Sequence, residues 1–206
     1  MIKNKWEEGK VAELAFWRDW LPKKVEEYLY PTQLRHYFGE LIGDKKEVDI
    51  LDLGSGVLST IGYVWEGVKV NLTLADVLAD EYMKLLKEMD IKPIVPVEKQ
   101  DMSDLSYPSN TFDIVHCRNA LDHTYDPFGA IKEMVRVCKP GGWIYLAHFV
   151  HEGKRLGYRG FHQWNIDGEG EDCLFWNKEN RFLLSECEPG FKTEVHEGGI
   201  LSKKQK

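Results

Sequence analysis

Asp52-Leu53-Gly54-Ser55-Gly56 places a carboxylate and two glycines at the end of an apolar run that starts at Val48. Glycines there let the backbone turn tightly and come close to a ligand. A helix start behind such a turn favours a carboxylate or a phosphate. Asp76 ends the next apolar run, about 20 residues on, where a carboxylate accepts the ribose hydroxyls of an adenosine. Asp101 follows a third run and is placed to accept an adenine amino group, with Met102 against the base. Ser59 stands where a dinucleotide fingerprint has its third glycine, which weakens a nicotinamide-dependent oxidoreductase reading without removing it. His123 and His162 are imidazoles that exchange protons near neutral pH. His162 lies between Phe161 and Trp164, and aromatic faces with polar tips suit a sugar or another partly apolar acceptor. His148 and His151 leave a later strand near the same edge. Spacing alone shows no carboxylate or cysteine completing a metal set with these histidines, so no metal is expected.

These residues need elements to hold them. Residues 6–20 read as an aromatic-rich helix, Pro22 and Pro31 bracket a second piece, and residues 32–42 read as a third. From Val48 the pattern becomes strand–helix alternation. Strands are expected at 48–53, 70–75, 94–97, 112–117 and 143–149, with helices at 58–65 and 79–89 between them. A further helix has Asp126 as N-cap and Pro127 as first residue. Its stripe is Phe128, Ile131, Met134, Val135 and Cys138, and Pro140-Gly141-Gly142 is expected to stop it with a left-handed glycine. Such alternation implies an α/β fold with a parallel sheet covered on both faces. Residues 151–172 hold five glycines and read as a long loop, followed by late strands at 174–176 and 191–195.

Taken together, ILDLGSG (50–56), LAD (74–76), QDMSDL (100–105), NTFDIVHCRNALDHTYDP (110–127) and EMVRVCKPGGWIYL (133–146) resemble the class I methyltransferase family. The resemblance is to its small-molecule branch, related to ubiquinone and menaquinone methyltransferases, and covers about residues 48–150. It implies a Rossmann-like, doubly wound, seven-stranded and mostly parallel sheet with an antiparallel last strand. It implies S-adenosylmethionine as cofactor, held by Gly54, Ser55 and Gly56, by Asp76 and Val77 at the ribose, by Asp101 and Met102 at the adenine, and by Asn119 near the methionine end. Asp52 would shape the turn and reach the cofactor's amino group. GFHQWNI (160–166) is similar to methyltransferases that modify sugars or surface polysaccharide, so a sugar or nucleotide-sugar hydroxyl is the expected acceptor. A hydroxyl needs its proton removed, and His123 and His162 are the candidate bases, with Asp122 a weaker alternative. A non-catalytic protein that binds an adenosyl ligand remains an alternative.

Length and charge bound the rest. At 206 residues one domain is the default, divided as a helical N-terminal lid (1–47), a cofactor-binding core (48–150), and an acceptor loop with last strands (151–206). Tyr30, Arg35 and Tyr37 are the lid residues expected to face the site, and a monomer or homodimer is expected. The net charge of −7 and the lack of a basic stripe beyond Lys203–Lys206 argue against nucleic acid. The DNA amino-methyltransferase motif is also missing, because Arg118-Asn119-Ala120-Leu121 occupies its position. No apolar run approaches the ~18 residues needed to span a bilayer. Four cysteines without a Cys-x-x-Cys pair fit a reduced, cytoplasmic setting.

Overall fold

The computed structural model describes residues 2–187, 191–196 and 199–204. Five strands run parallel: β1 (Glu47–Leu53), β2 (Lys69–Asp76), β3 (Val97–Lys99), β4 (Phe112–Arg118) and β5 (Cys138–Ala147). Their order in the sheet is β3-β2-β1-β4-β5. Beyond β5 the sheet continues through β10 (Gly199–Lys204), antiparallel to it, and then β9 (Phe191–His196). The central strands are buried because both faces are covered: Val48, Ile50, Leu51 and Leu53 of β1 and Ile114, Val115 and Cys117 of β4 are almost fully enclosed. This is the Rossmann-like α/β arrangement, with ligand-binding ends at the carboxyl termini of the strands.

One face carries α4 (Pro127–Val137), whose Ala130, Ile131 and Met134 pack on Leu51, Val115 and Ile144. Asp126 caps it as expected: its Oδ1 accepts the Gly129 N–H at 2.8 Å, and Pro127 opens the helix. The helix ends at Val137 without a glycine cap. Cys138 is extended and already begins β5, so Pro140-Gly141-Gly142 lies inside the strand. The pairing with β4 shifts register there, between Phe112 and Ile114.

The other face carries α1 (Ile2–Tyr28), the short α2 (Phe38–Ile42) and α3 (Ala79–Glu88). α1 runs through Pro22 instead of breaking there. An interior proline removes one hydrogen bond and costs ~3 kcal/mol. Apolar contacts of Trp17, Leu21 and Val25, from both sides of Pro22, with Leu78, Tyr82 and Leu85 oppose that cost. The helix expected at 58–65 does not form. Its backbone is used elsewhere: Tyr63 N–H donates to Thr32 O at 2.8 Å, while Ile61 O accepts from Arg35 N–H at 2.9 Å and Val64 O from Leu34 N–H at 2.8 Å. The same pairing shortens the helix expected at 32–42 to five residues. Gly62 sits at φ +98° where the two segments touch, and a Cβ there would collide with the Gln33 carbonyl.

Residues 151–187 are not a loop. α5 (Glu152–Arg155), a three-stranded antiparallel sheet of β6 (Asn165–Glu169), β7 (Asp172–Trp176) and β8 (Arg181–Leu183), and α6 (Leu184–Cys187) fill the segment. Ile166, Cys173, Phe175 and Leu184 join the same apolar cluster as Leu51 and Val115, so this insert is part of the core. Among the described residues no helix is long and apolar enough to cross a membrane. Of the basic tail, Lys203 and Lys204 close β10; residues 205–206 lie outside the described residues.

Candidate active site

The glycine turn leaves β1 at the carboxyl edge of the sheet. Gly54 and Gly56 both lie at φ +71°, the left-handed region, and Gly54 N–H and Ser55 N–H donate to Ala75 O at 2.7 and 3.2 Å. Gly54 is also where the chain comes closest: a Cβ would collide with Ala120 and lie 3.6 Å from Met102 Cε. Asp76 ends β2 beside the turn. Its Oδ2 accepts the Gly56 N–H at 3.1 Å and its Oδ1 the Leu78 N–H at 2.9 Å. Burial outweighs those two hydrogen bonds and pushes its carboxyl up to about 6. Gly54, Ser55, Gly56, Asp76, Val77 and Met102 therefore gather at the ends of β1 and β2 and the chain after β3. Asp101 is exposed, and its Oδ1 accepts Ser103 N–H at 2.9 Å and Ser103 Oγ at 2.6 Å. Asn119 follows β4 at φ +49° and is held by its N–H to Ala147 O at 3.0 Å.

α1 lies over this turn. A Cβ on Gly56 would run into the Trp17 indole, whose Nε1–H donates to Glu13 at 2.7 Å. Glu13 is near enough to push up the Asp76 carboxyl and to act on His123 and His162. Glu13 and Trp17 thus lie beside the turn, and in the sequence nothing singles them out within the aromatic-rich stretch of residues 6–20.

A polar cluster stands at the end of β4. Leu121–His123 make one 3-10 turn, and His162 reaches it from the insert. His162 Nδ1 lies 2.8 Å from Asp122 Oδ2 and 3.2 Å from His123 Nε2, and His123 Nε2 lies 3.6 Å from the same carboxylate oxygen. Burial opposes charge on the Asp122 carboxyl, but the imidazoles win and hold it below the usual range. Burial also lowers His123. In His162 burial is outweighed by the hydrogen bond to Asp122, which raises it. The two expected bases are therefore brought together, and Asp122 supplies the carboxylate that spacing did not disclose. Asp122, His123 and His162 form a set whose donor atoms all lie within 4.8 Å of one another.

Other expected residues lie elsewhere. Phe161 and Trp164 turn inward, against Trp6 and His123 and against Phe182, and are almost fully buried. They form no exposed platform for a sugar ring. His151 hydrogen-bonds Asp167 at 2.8 Å, away from the cluster. Tyr30 is exposed, and Arg35 Nε–H donates to Thr60 O at 2.9 Å. Tyr37 belongs to a second network under the turn: its hydroxyl is 3.0 Å from His116 Nε2, and His116 Nδ1 is 2.8 Å from Asp52 Oδ1. Ser59 Oγ–H also donates to Asp52 at 3.3 Å. Asp52 thus points into the fold and braces the turn from below. His116 is fully enclosed, and strand alternation would have placed it on the face of Asp52.

Residues 51–146 match a family model described as "Methyltransferase domain". These residues are a methyltransferase domain. The chain is 26% identical over 79% of its length to 2-methyl-6-phytyl-1,4-hydroquinone methyltransferase 1 of Oryza sativa, covering 47% of that protein. It is 29% identical over 52% of its length to sterol 24-C-methyltransferase of Aspergillus fumigatus, covering 29% of it. The chain thus spans less than half of these relatives. A solved S-adenosylmethionine-dependent methyltransferase of Methanosarcina mazei shares the fold, with TM-score 0.52 and 18% identity over 84% of this chain and 99% of that one. The matched span of the methyltransferase domain contains the glycine turn, Asp76, Asp101, Met102, Asn119, Asp122 and His123; Glu13, Trp17 and His162 lie outside it.

Proposed function

We propose that the chain is an S-adenosylmethionine-dependent methyltransferase acting on a hydroxyl of a small molecule. The observation that carries this reading is the pairing, along one sheet edge, of the Gly54–Gly56 turn and Asp76 with the Asp122–His123–His162 cluster. The residues present fit the cofactor. Asp76 has its two oxygens fixed by backbone N–H groups, with lone pairs left for ribose hydroxyls. Gly54 packs so closely on Ala120 that a Cβ would clash, which holds the turn in place, and Met102 lies beside it with an apolar side chain for a base. β10 and β9, added to the five parallel strands, support the seven-stranded sheet implied by the resemblance.

The bound cofactor would supply a methyl group already activated on a sulfonium sulfur. The protein's task is positioning and removal of the acceptor proton. With its Nδ1–H donating to Asp122, His162 keeps the Nε2 lone pair free to take that proton, and Asp122 fixes the tautomer. His123, held neutral by burial, is the alternative base. The relatives named for a hydroquinone and a sterol support a small-molecule acceptor; the buried Phe161 and Trp164 remove the aromatic support for a sugar ring. The helix start expected behind the turn is missing at residues 57–68, so a helix N-terminus there serves neither a dinucleotide phosphate nor a carboxylate.

Calorimetry with S-adenosylhomocysteine and with NAD tests the cofactor. Tight NAD binding without homocysteine-ligand binding would sink the reading. His162→Ala should lower turnover ~10²–10⁴-fold, the usual contribution of a positioned base, with ligand affinity intact. Binding without turnover across a broad hydroxyl panel would favour a non-catalytic adenosyl-binding protein.

A further inference from the structure

We infer that Asp122, His123 and His162 form a binding site for one divalent transition-metal ion, with Zn²⁺ the best fit. The inference rests on reading this cluster as the acceptor end of the site.

The geometry is the first support. Four ligands at Zn–N and Zn–O distances of ~2.0–2.1 Å, set tetrahedrally, stand about 3.3 Å apart. Asp122 Oδ2, His162 Nδ1 and His123 Nε2 form a triangle with edges of 2.8, 3.2 and 3.6 Å, which brackets that spacing. Two imidazoles and one carboxylate also suit a borderline cation, whereas Mg²⁺ prefers oxygen and water.

The charge balance is the second. Asp122 is 3% exposed, and among the described residues its ion-pair partners are only His123 and His162. A buried carboxylate requires a positive partner. His148 leaves the end of β5 within electrostatic reach of Asp122 and His123, and its Nδ1 and Nε2 are both buried without a hydrogen-bond partner among the described residues. Those nitrogens stand outside the set whose donor atoms all lie within 4.8 Å of one another, so His148 shapes the surroundings of the triangle and is not counted as a ligand. The His123 and His162 side chains are 20% and 32% exposed, so one side of the triangle stays open to water or to an acceptor oxygen.

His162 Nδ1 cannot carry a proton for Asp122 and a metal ion at the same time, so the two uses of the cluster are separable. Untagged protein, stripped with a chelator and dialysed, is titrated calorimetrically with Zn²⁺, with Mg²⁺ and with S-adenosylhomocysteine. One Zn²⁺ per chain and no Mg²⁺ heat are expected. Co²⁺ in place of Zn²⁺ should give a visible absorption band of four-coordinate intensity. His162→Ala should weaken Zn²⁺ binding by at least ~10–100-fold, the loss that follows even from removing a group behind a ligand. Its circular dichroism and homocysteine-ligand affinity report that it is folded; if they do not match wild type, His162→Gln replaces it. No Zn²⁺ binding by wild type, or equal binding by a folded His162 variant, overturns the metal site. Homocysteine-ligand binding without Zn²⁺ binding leaves the methyltransferase reading standing alone, and Zn²⁺ binding without the homocysteine ligand does the reverse.

Discussion

Asp76 shows how one side chain links the fold to its ligand. Burial disfavours its charge and raises its carboxyl to about 6, although two backbone N–H groups support the ionised form. In the unliganded protein ionisation is therefore harder than in water, and the carboxyl becomes fully charged only above neutral pH. A carboxyl raised in the folded state stabilises the fold most below its unfolded value, near 4, and that contribution is lost as pH rises through about 6. Ribose hydroxyls donate to the carboxylate, so ligand binding has the opposite dependence. S-adenosylhomocysteine affinity should be flat above pH 7 and fall about tenfold for each unit below 6, with proton release on binding in that range. Calorimetry in buffers of different ionisation enthalpy measures both. An Asp76→Asn variant should bind more weakly and lose the pH dependence; a variant that keeps it would place the titrating group elsewhere. Position relative to the glycine turn made Asp76 legible in the sequence. The position of Asp122 did not mark it as a partner of His162, because 40 residues and an insert with no periodic signature separate them.

At the scale of elements, β1, β2 and β4 were read well, whereas β3 falls at Val97–Lys99 instead of 94–97, β5 starts at Cys138 instead of Trp143, and β6, β8 and β10 were not foreseen. β1, β4 and α4 carry apolar patterns that only one kind of burial satisfies, and the Asp126-Pro127 start of α4 is a local backbone signal. α4 can be tested alone: Asp126→Ala removes the acceptor for Gly129 N–H and should cost about 1 kcal/mol, seen as a lower denaturant midpoint at unchanged slope. The helix expected at 58–65 failed for a reason no window of residues contains, since its hydrogen-bonding groups are taken by residues 32–35. The insert failed likewise: its glycines read as a loop, yet Gly170, at φ +64°, makes the turn between β6 and β7. α1 was legible as a helix and as part of a lid, but the lid residues expected to face the site were Tyr30, Arg35 and Tyr37, not Glu13 and Trp17. Trp17 packs on Gly56 and Glu13 acts on Asp76, so a ligand entering beside Asp76 changes the surroundings of Trp17. S-adenosylhomocysteine should alter the tryptophan emission of the wild type, and Trp17→Phe should remove most of that change. An undiminished change in Trp17→Phe would move the ligand away from the turn.

At the scale of the molecule, the question is whether the insert opens separately from the sheet. Cys117 and Cys138 lie in β4 and β5, and Cys173 and Cys187 in β7 and α6. All four are buried. Burial also pushes the Cys117 and Cys173 thiols up, which removes reactive thiolate while the fold is closed. Each thiol thus reports opening of its own surroundings. If the insert were a separate lobe, Cys173 and Cys187 would react first as denaturant is raised. The packing argues otherwise, because the four cysteines share one apolar cluster that also contains Leu51, Ile131 and Leu146. Opening the insert would strip Leu184 and Phe175 from that cluster and expose the face of the sheet beneath them, so the two pairs should be lost together. An aromatic disulfide reagent should therefore find no reactive thiol in the native protein over minutes and four in guanidinium. Mass mapping should show both pairs becoming reactive over the same denaturant range. Labelling of Cys173 and Cys187 at a clearly lower concentration would make residues 151–187 a separately folding unit.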